Sequence, residues 1–165
     1  MATITLGGNT IHTAGDLPPK GSDLSKIALT GIDLADFQLS KFAGKRIVLN
    51  IFPSIDTGVC ATSVRKFNEL AAGIDNTVVI NVSKDLPFAQ KRFCGAEGIN
   101  DVVMGSDFRH QAFSENVKID MIDGGMKDFM SRAIIVLDEQ GKVVYTQQVP
   151  EIGQEPDYDE AIAAL

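Results

Sequence analysis

Residues 46–60 read Arg46-Ile47-Val48-Leu49-Asn50-Ile51-Phe52-Pro53-Ser54-Ile55-Asp56-Thr57-Gly58-Val59-Cys60, and this stretch decides the fold. Five of its first seven residues are apolar and three of those (Ile47, Val48 and Ile51) are β-branched, the pattern of a buried strand. Pro53 carries no N–H for a sheet ladder and ends that strand. Ser54, Asp56, Thr57 and Gly58 then supply turn and N-cap chemistry. Val64, Phe67 and Ala71 follow Cys60 at helical spacing, so a helix is expected to start near Thr57 or Gly58. Its first turn carries Cys60, where unpaired N–H groups and the helix dipole favour a thiolate.

Working outward, strands and helices alternate. Thr3–Leu6 and Ile11–Thr13 flank Gly7-Gly8-Asn9, which predicts an N-terminal hairpin within residues 1–15. Ile27–Thr30 and Phe37–Leu39 read as short strands around an acidic turn, Asp33–Asp36. The Cys60 helix is expected to end at Gly73, ahead of a strong strand over Thr77–Ser83. Asp85-Leu86-Pro87-Phe88 opens a helix expected to reach Cys94, with Gly95 as its stop. A strand over 101–106, a short helix over 111–117 and an irregular stretch over 119–130 follow. Ala133–Leu137 and Val143–Thr146 form a hairpin across Asp138-Glu139-Gln140-Gly141, and residues 157–165 look helical. The expected architecture is α/β with a mixed sheet, in a single domain over residues 1–165.

At 165 residues the chain is long enough for a substantial core without disulfide or metal staples. A net charge of −7, with no long basic run, argues against nucleic acid or an anionic membrane as partner. Residues 1–8 lack the basic and apolar regions of a secretory signal, and no apolar run is long enough to span a bilayer. The expected location is cytoplasmic, where disulfides are transient and catalytic rather than structural.

Two cysteines therefore carry weight. For Cys60 the plain alternative is a small buried hydrophobe. Thr57 either caps the helix or turns its hydroxyl toward the sulfur or a bound oxygen. Asp56 would oppose a thiolate and is expected to face solvent. Cys94 stands near a helix end, where fraying frees a thiol to travel. Its spacing from Cys60 is not Cys-x-x-Cys, and His12 and His110 are too scattered to complete a metal site. Arg132 opens the strand Ala133–Leu137; it is either a solvated strand-end cation or, placed near Cys60, a partner for thiolate and oxygen. Met121, Met126, Met130 and Phe129 read as packing residues, and the acidic runs 33–36 and 155–160 as solvated surface.

Pro53-x-x-x-Thr57-x-x-Cys60, with an arginine opening a late strand, resembles the peroxiredoxin active-site signature. The string Asn50–Cys60, the segment Asp85–Gly98 (Asp85-Leu86-Pro87-Phe88-Ala89-Gln90-x-Arg92-Phe93-Cys94-Gly95-Ala96-Glu97-Gly98) and Glu155-Pro156-Asp157-Tyr158-Asp159 are similar to the bacterial thiol peroxidase subfamily over essentially the whole chain. The resemblance implies a thioredoxin fold with an added N-terminal hairpin and an atypical two-cysteine peroxidase that needs no cofactor. It makes Cys60 the peroxidatic and Cys94 the resolving cysteine of one chain. Pro53 would shield Cys60 from water, while Thr57 and Arg132 would hold thiolate and peroxide. Hydroperoxides would be the substrates, thioredoxin the reductant and a homodimer the assembly.

In thiol chemistry the thiolate takes the terminal peroxide oxygen as a sulfenic acid, the second thiol condenses with it to a disulfide, and an external dithiol resets both. The reduced form is expected to hold the sulfurs apart, so that both helix ends unwind for the bond to form. Two other readings stay open. A general thiol–disulfide oxidoreductase would exchange with protein disulfides without consuming peroxide. A redox-sensing binding protein would use the same disulfide to switch a surface.

Overall fold

The computed structural model describes residues 1–165. In chain order the strands are β1 (Thr3–Leu6), β2 (Asn9–His12), β3 (Ala28–Thr30), β4 (Asp36–Gln38), β5 (Arg46–Ile51), β6 (Thr77–Ser83), β7 (Val103–Ser106), β8 (Ala133–Leu137) and β9 (Val143–Gln148). The α-helices are α1 (Gly58–Ala71), α2 (Pro87–Glu97), α3 (Ala112–Val117) and α4 (Tyr158–Ala163). β1 and β2 make a separate hairpin whose two-residue turn places Gly7 and Gly8 at φ 57° and 80°, values open to glycine at little cost. The other seven strands form one sheet in the order β4-β3-β7-β6-β5-β8-β9. β5, β6 and β7 run parallel, joined through α1 and α2, while β8 and β9 return antiparallel. This is the mixed sheet with an N-terminal hairpin read from the sequence.

β5 is covered on both faces, which is why it reads as a near-continuous apolar run interrupted only at Asn50. Pleating sends Ile47, Leu49 and Ile51 to the larger core, which also holds Phe113 and Val117 of α3. Val48 faces the other way, toward Phe67 of α1 and Ala161 of α4. The Phe67 ring meets Tyr158 edge-on at 5.0 Å, fixing α1 and α4 to the sheet.

Several element ends shift by a residue or two from expectation, β2 beginning already at Asn9 and β4 at Asp36, and three of the differences have a clear physical setting. α1 stops at Ala71, before Gly73. α2 passes through Gly95 to Glu97, and Gly98 at φ 64° takes the left-handed cap position. The N–H groups of Gly98 and Ile99 both turn back to the Cys94 carbonyl, and the chain reverses there because Ile99 must re-enter the core. β9 runs on to Gln148 because β8 offers it a partner as far as Ala133.

Candidate active site

The site forms where β5 gives way to α1. Phe52 donates its last ladder hydrogen bond to the Val82 carbonyl at 3.2 Å, and the buried Pro53 ends pairing. Asp85, just after β6, ties down the loop that follows. Its carboxylate accepts from the Ser54 hydroxyl at 2.9 Å, the Ile55 N–H at 2.8 Å and the Ser83 hydroxyl at 2.6 Å. Thr57 occupies the N-cap with extended backbone (φ −95°, ψ 146°), but no side chain caps α1. The Thr57 hydroxyl instead donates to the Ser54 carbonyl at 3.1 Å, so capping is not its role. Its lone pairs, and the first N–H groups of α1, are left without helical partners. Asp56 faces solvent as expected and pairs with Arg92 at 3.1 Å.

Cys60 sits in that first turn with no exposed surface, among Phe52, Ile55, Val64 and Met104. Arg132, immediately before β8, is 2% exposed, so the reading as a solvated cation is overturned. Its Nη2 donates to Cys60 Sγ at 3.3 Å and its Nε to the Ile152 carbonyl at 2.9 Å. Nη1 is buried and has no protein partner. The guanidinium is thus a two-point brace with the whole Nη1 amino group to spare. Pro53, Thr57, Val59 and Arg132, with Leu6, Met126 and Glu151, line a cavity of 310 Å³.

Cys94 lies in the last turn of α2, half-buried against the cluster that holds Cys60. Burial pushes its thiol up from the usual range. It borders a different, mostly apolar cavity of 440 Å³, beside Phe37, Phe42 and Ile99. Both cysteines are free thiols. Only Pro87 and Gln90 of α2 are buried, so little apolar packing anchors this helix. What holds it is partly electrostatic: Arg65 of α1 makes a two-pronged pair with Glu97, 2.9 Å on each prong, and lies over the Phe93 ring at 5.6 Å.

The remaining candidates separate. His12 bonds Asp123 and His110 bonds Asp36, each at 2.7 Å, and no group of three potential metal ligands forms. Asp36 is not merely solvated: His110 first, then Thr30, hold its carboxyl below the ordinary range. Met121 and Met130 are fully buried packing residues, whereas Phe129 is 45% exposed.

Sequence reading missed the residues that support the first turn. Asn50 faces α1 and donates to Asn81 at 2.8 Å and Ser63 at 3.2 Å, while Ser63 donates to the Cys60 carbonyl at 2.8 Å. The available signal was a pair of asparagines in the apolar middles of two strands, which the parallel register sets side by side. Gln148, whose amide donates to the Arg132 carbonyl at 3.0 Å, was missed as well, with Glu151 and Ile152, since nothing local to them refers to Cys60.

A family model described as redoxin matches residues 13–162. A thiol peroxidase of Mycobacterium bovis is 54% identical over 165 residues, spanning 100% of this chain and 99% of its own length. Among solved structures, a peroxiredoxin-like protein from Aquifex aeolicus aligns with a TM-score of 0.91 at 37% identity, over 98% of this chain and 95% of that one. A thiol peroxidase from Chromobacterium violaceum shares the fold, with a TM-score of 0.88 at 19% identity over 98% and 93% of the two chains. The seven-stranded mixed sheet and its helices are the thioredoxin-like fold of these proteins, with the hairpin added. Because the curated match runs the full length at more than half identity, the chain belongs to the redoxin family and, within it, to the bacterial thiol peroxidases, which are peroxiredoxin-type enzymes.

Proposed function

We propose that Cys60 is the peroxidatic cysteine of a thioredoxin-dependent hydroperoxide reductase, with Cys94 as its resolving partner. The observation that carries this is the Arg132 guanidinium on Cys60 Sγ at 3.3 Å, at the uncapped end of α1. The thiolate attacks the terminal oxygen of ROOH. An S–O bond forms, the O–O bond breaks, and the departing RO⁻ takes a proton to leave as alcohol, or as water from hydrogen peroxide. Thr57 Oγ accepts the peroxide O–H, while the spare Nη1 of Arg132 and the free N–H groups of α1 receive the developing oxyanion. Pro53 covers the sulfur from bulk water.

Cys94, kept as a thiol by its burial, then condenses with the sulfenic acid, releasing water and forming the disulfide. A disulfide needs Cα atoms within roughly 7 Å. The first turn of α1 and the last turn of α2 unwind to meet that condition, and the sparse packing of α2 makes its opening inexpensive. A thioredoxin-type dithiol restores both thiols by exchange, and the location we infer is the cytoplasm, where such a reductant keeps thiols reduced. No helix is long and apolar enough to cross a membrane. The homodimer surface we infer is the exposed apolar rim of Leu34, Leu86, Phe88 and Phe108, of which Phe88 is 65% and Phe108 59% exposed.

The test is peroxide consumption with thioredoxin, its reductase and NADPH, for wild type, Cys60→Ser and Cys94→Ser. Turnover should vanish in Cys60→Ser, and a single turnover should survive in Cys94→Ser. Peroxide turnover that persists without Cys60 refutes the mechanism.

A further inference from the structure

The hairpin residues 1–12 fall outside the stretch matched by the redoxin family, yet Leu6 and Gly7 at the hairpin turn line the cavity that Pro53, Thr57 and Arg132 share. Thr5 accepts the Ile152 N–H at 2.9 Å through its carbonyl, and its own N–H donates to the Pro150 carbonyl at 2.8 Å. Between those two contacts stands Glu151. Its carboxylate accepts from the Thr5 hydroxyl, the Gly7 N–H at 2.9 Å, and the Gly8 and Gly153 N–H groups at 3.3 Å each. One side chain therefore closes the hairpin turn and the 150–153 loop onto each other. The carbonyl of the next residue, Ile152, is what Arg132 Nε grips at 2.9 Å.

We infer that Glu151 is a positioning residue for the peroxidase reaction: by fastening the N-terminal hairpin to the 150–153 loop it holds the Ile152 carbonyl, and thereby Arg132, in register with Cys60. The inference rests on the mechanism proposed above. A guanidinium bonded at Nε and Nη2 has its plane set by those two acceptors, and the spare Nη1 is aimed only as well as Ile152 is held. Arg132 and Glu151 also line one cavity with Pro53, Thr57 and the hairpin's own Leu6 and Gly7, so the hairpin borders the space beside the reactive turn. The Thr5 hydroxyl and then the Gly7 N–H hold the Glu151 carboxyl at about 2, which keeps it an acceptor at every working pH.

The experiment is a double-mutant cycle on kcat/KM for hydrogen peroxide, using Glu151→Ala and Arg132→Lys in the full chain, with circular dichroism to verify folding. Glu151→Ala alone should lower kcat/KM on the order of tenfold, as expected when a catalytic donor shifts by a fraction of an ångström. In the Arg132→Lys background the same change should cost less than about twofold, because the group it acts through is already compromised. Glu151→Gln, which keeps one acceptor oxygen, should fall between wild type and Glu151→Ala. A merely structural role would instead lower both backgrounds by the same factor, which would overturn the inference, as would a folded Glu151→Ala enzyme within twofold of wild type. If Glu151→Ala does not fold, Thr5→Val removes one of the four donors and is read through the same cycle. An Arg132→Lys enzyme as fast as wild type would instead refute the proposed role of Arg132, a failure distinct from loss of the Glu151 effect alone.

Discussion

Arg132→Lys separates charge from geometry. The guanidinium spans two acceptors in different parts of the chain, Cys60 Sγ at 3.3 Å and the Ile152 carbonyl at 2.9 Å, with Nη1 still unpartnered. A lysine keeps the positive charge but brings it to one point, so it satisfies the sulfur or the carbonyl and cannot also present a directed donor to the leaving oxygen. Loss of one preorganised donor to developing oxyanion charge costs about 2.7–4 kcal/mol, a rate factor on the order of 10²–10³. Leaving the Ile152 carbonyl unpaired adds about 1–3 kcal/mol of destabilisation, which appears as a lower melting temperature rather than a slower reaction. The assay is single-turnover oxidation of reduced Cys60 in a Cys94→Ser background by rapid mixing with hydrogen peroxide, alongside thermal unfolding. Alkylation of Cys60 by iodoacetamide, which expels no oxyanion, should slow far less than peroxide reduction. Peroxide oxidation within threefold of the Arg132 parent, or an equal loss for both electrophiles, would refute the argument that Arg132 acts on the leaving oxygen.

Three further outcomes are expected. Asn50→Ala strips the hydrogen bond from the buried Asn81 carbonyl and removes the donor to Ser63, so stability should fall by about 1–3 kcal/mol in chemical denaturation. Glu97→Gln breaks the exposed pair with Arg65, a contact worth about 0.2–1 kcal/mol, so disulfide formation after peroxide addition should quicken by roughly 1.5- to 5-fold and overoxidised Cys60 should decline in mass spectra. Desolvation, and then the hydrogen bond to Glu160, push the Tyr145 phenol up to about 12. The folded state therefore binds this proton more tightly than the unfolded chain, and its contribution is lost as pH rises from about 10 through about 12. Tyr145→Phe should flatten that part of the melting-temperature profile, and an unchanged alkaline slope would show that Tyr145 does not carry it.

The strand–turn–helix around Cys60 is legible in the sequence because every step of it is local. Apolar pleating, a proline without an N–H and a cysteine at a fixed offset from a helix start act over a few residues. The hairpin at Gly7-Gly8 is legible for the same reason. Helix ends are less so. Gly73 and Gly95 look like stops, but α2 ends at Gly98, where the return of Ile99 to the core sets the reversal. Thr57 has the composition of a cap, yet its hydroxyl goes to Ser54, a choice made by the loop that Asp85 pins down.

Family resemblance names Arg132 as a partner of Cys60, but nothing local to the residue does, and its approach belongs to tertiary structure. Arg132 stands 72 residues away, and by composition it is an ordinary strand-end cation. It reaches the sulfur because β8 pairs antiparallel with β5, matching Ala133 with Ile51 and so delivering the preceding residue to the end of β5, where α1 begins. Thr5 and Glu151 are 146 residues apart and meet only once the hairpin packs on the loop after β9. The sequence by itself determined the reactive turn, since backbone geometry and side-chain type act locally. Only the folded sheet decided what faces that turn, since register brings together residues that share no local signal.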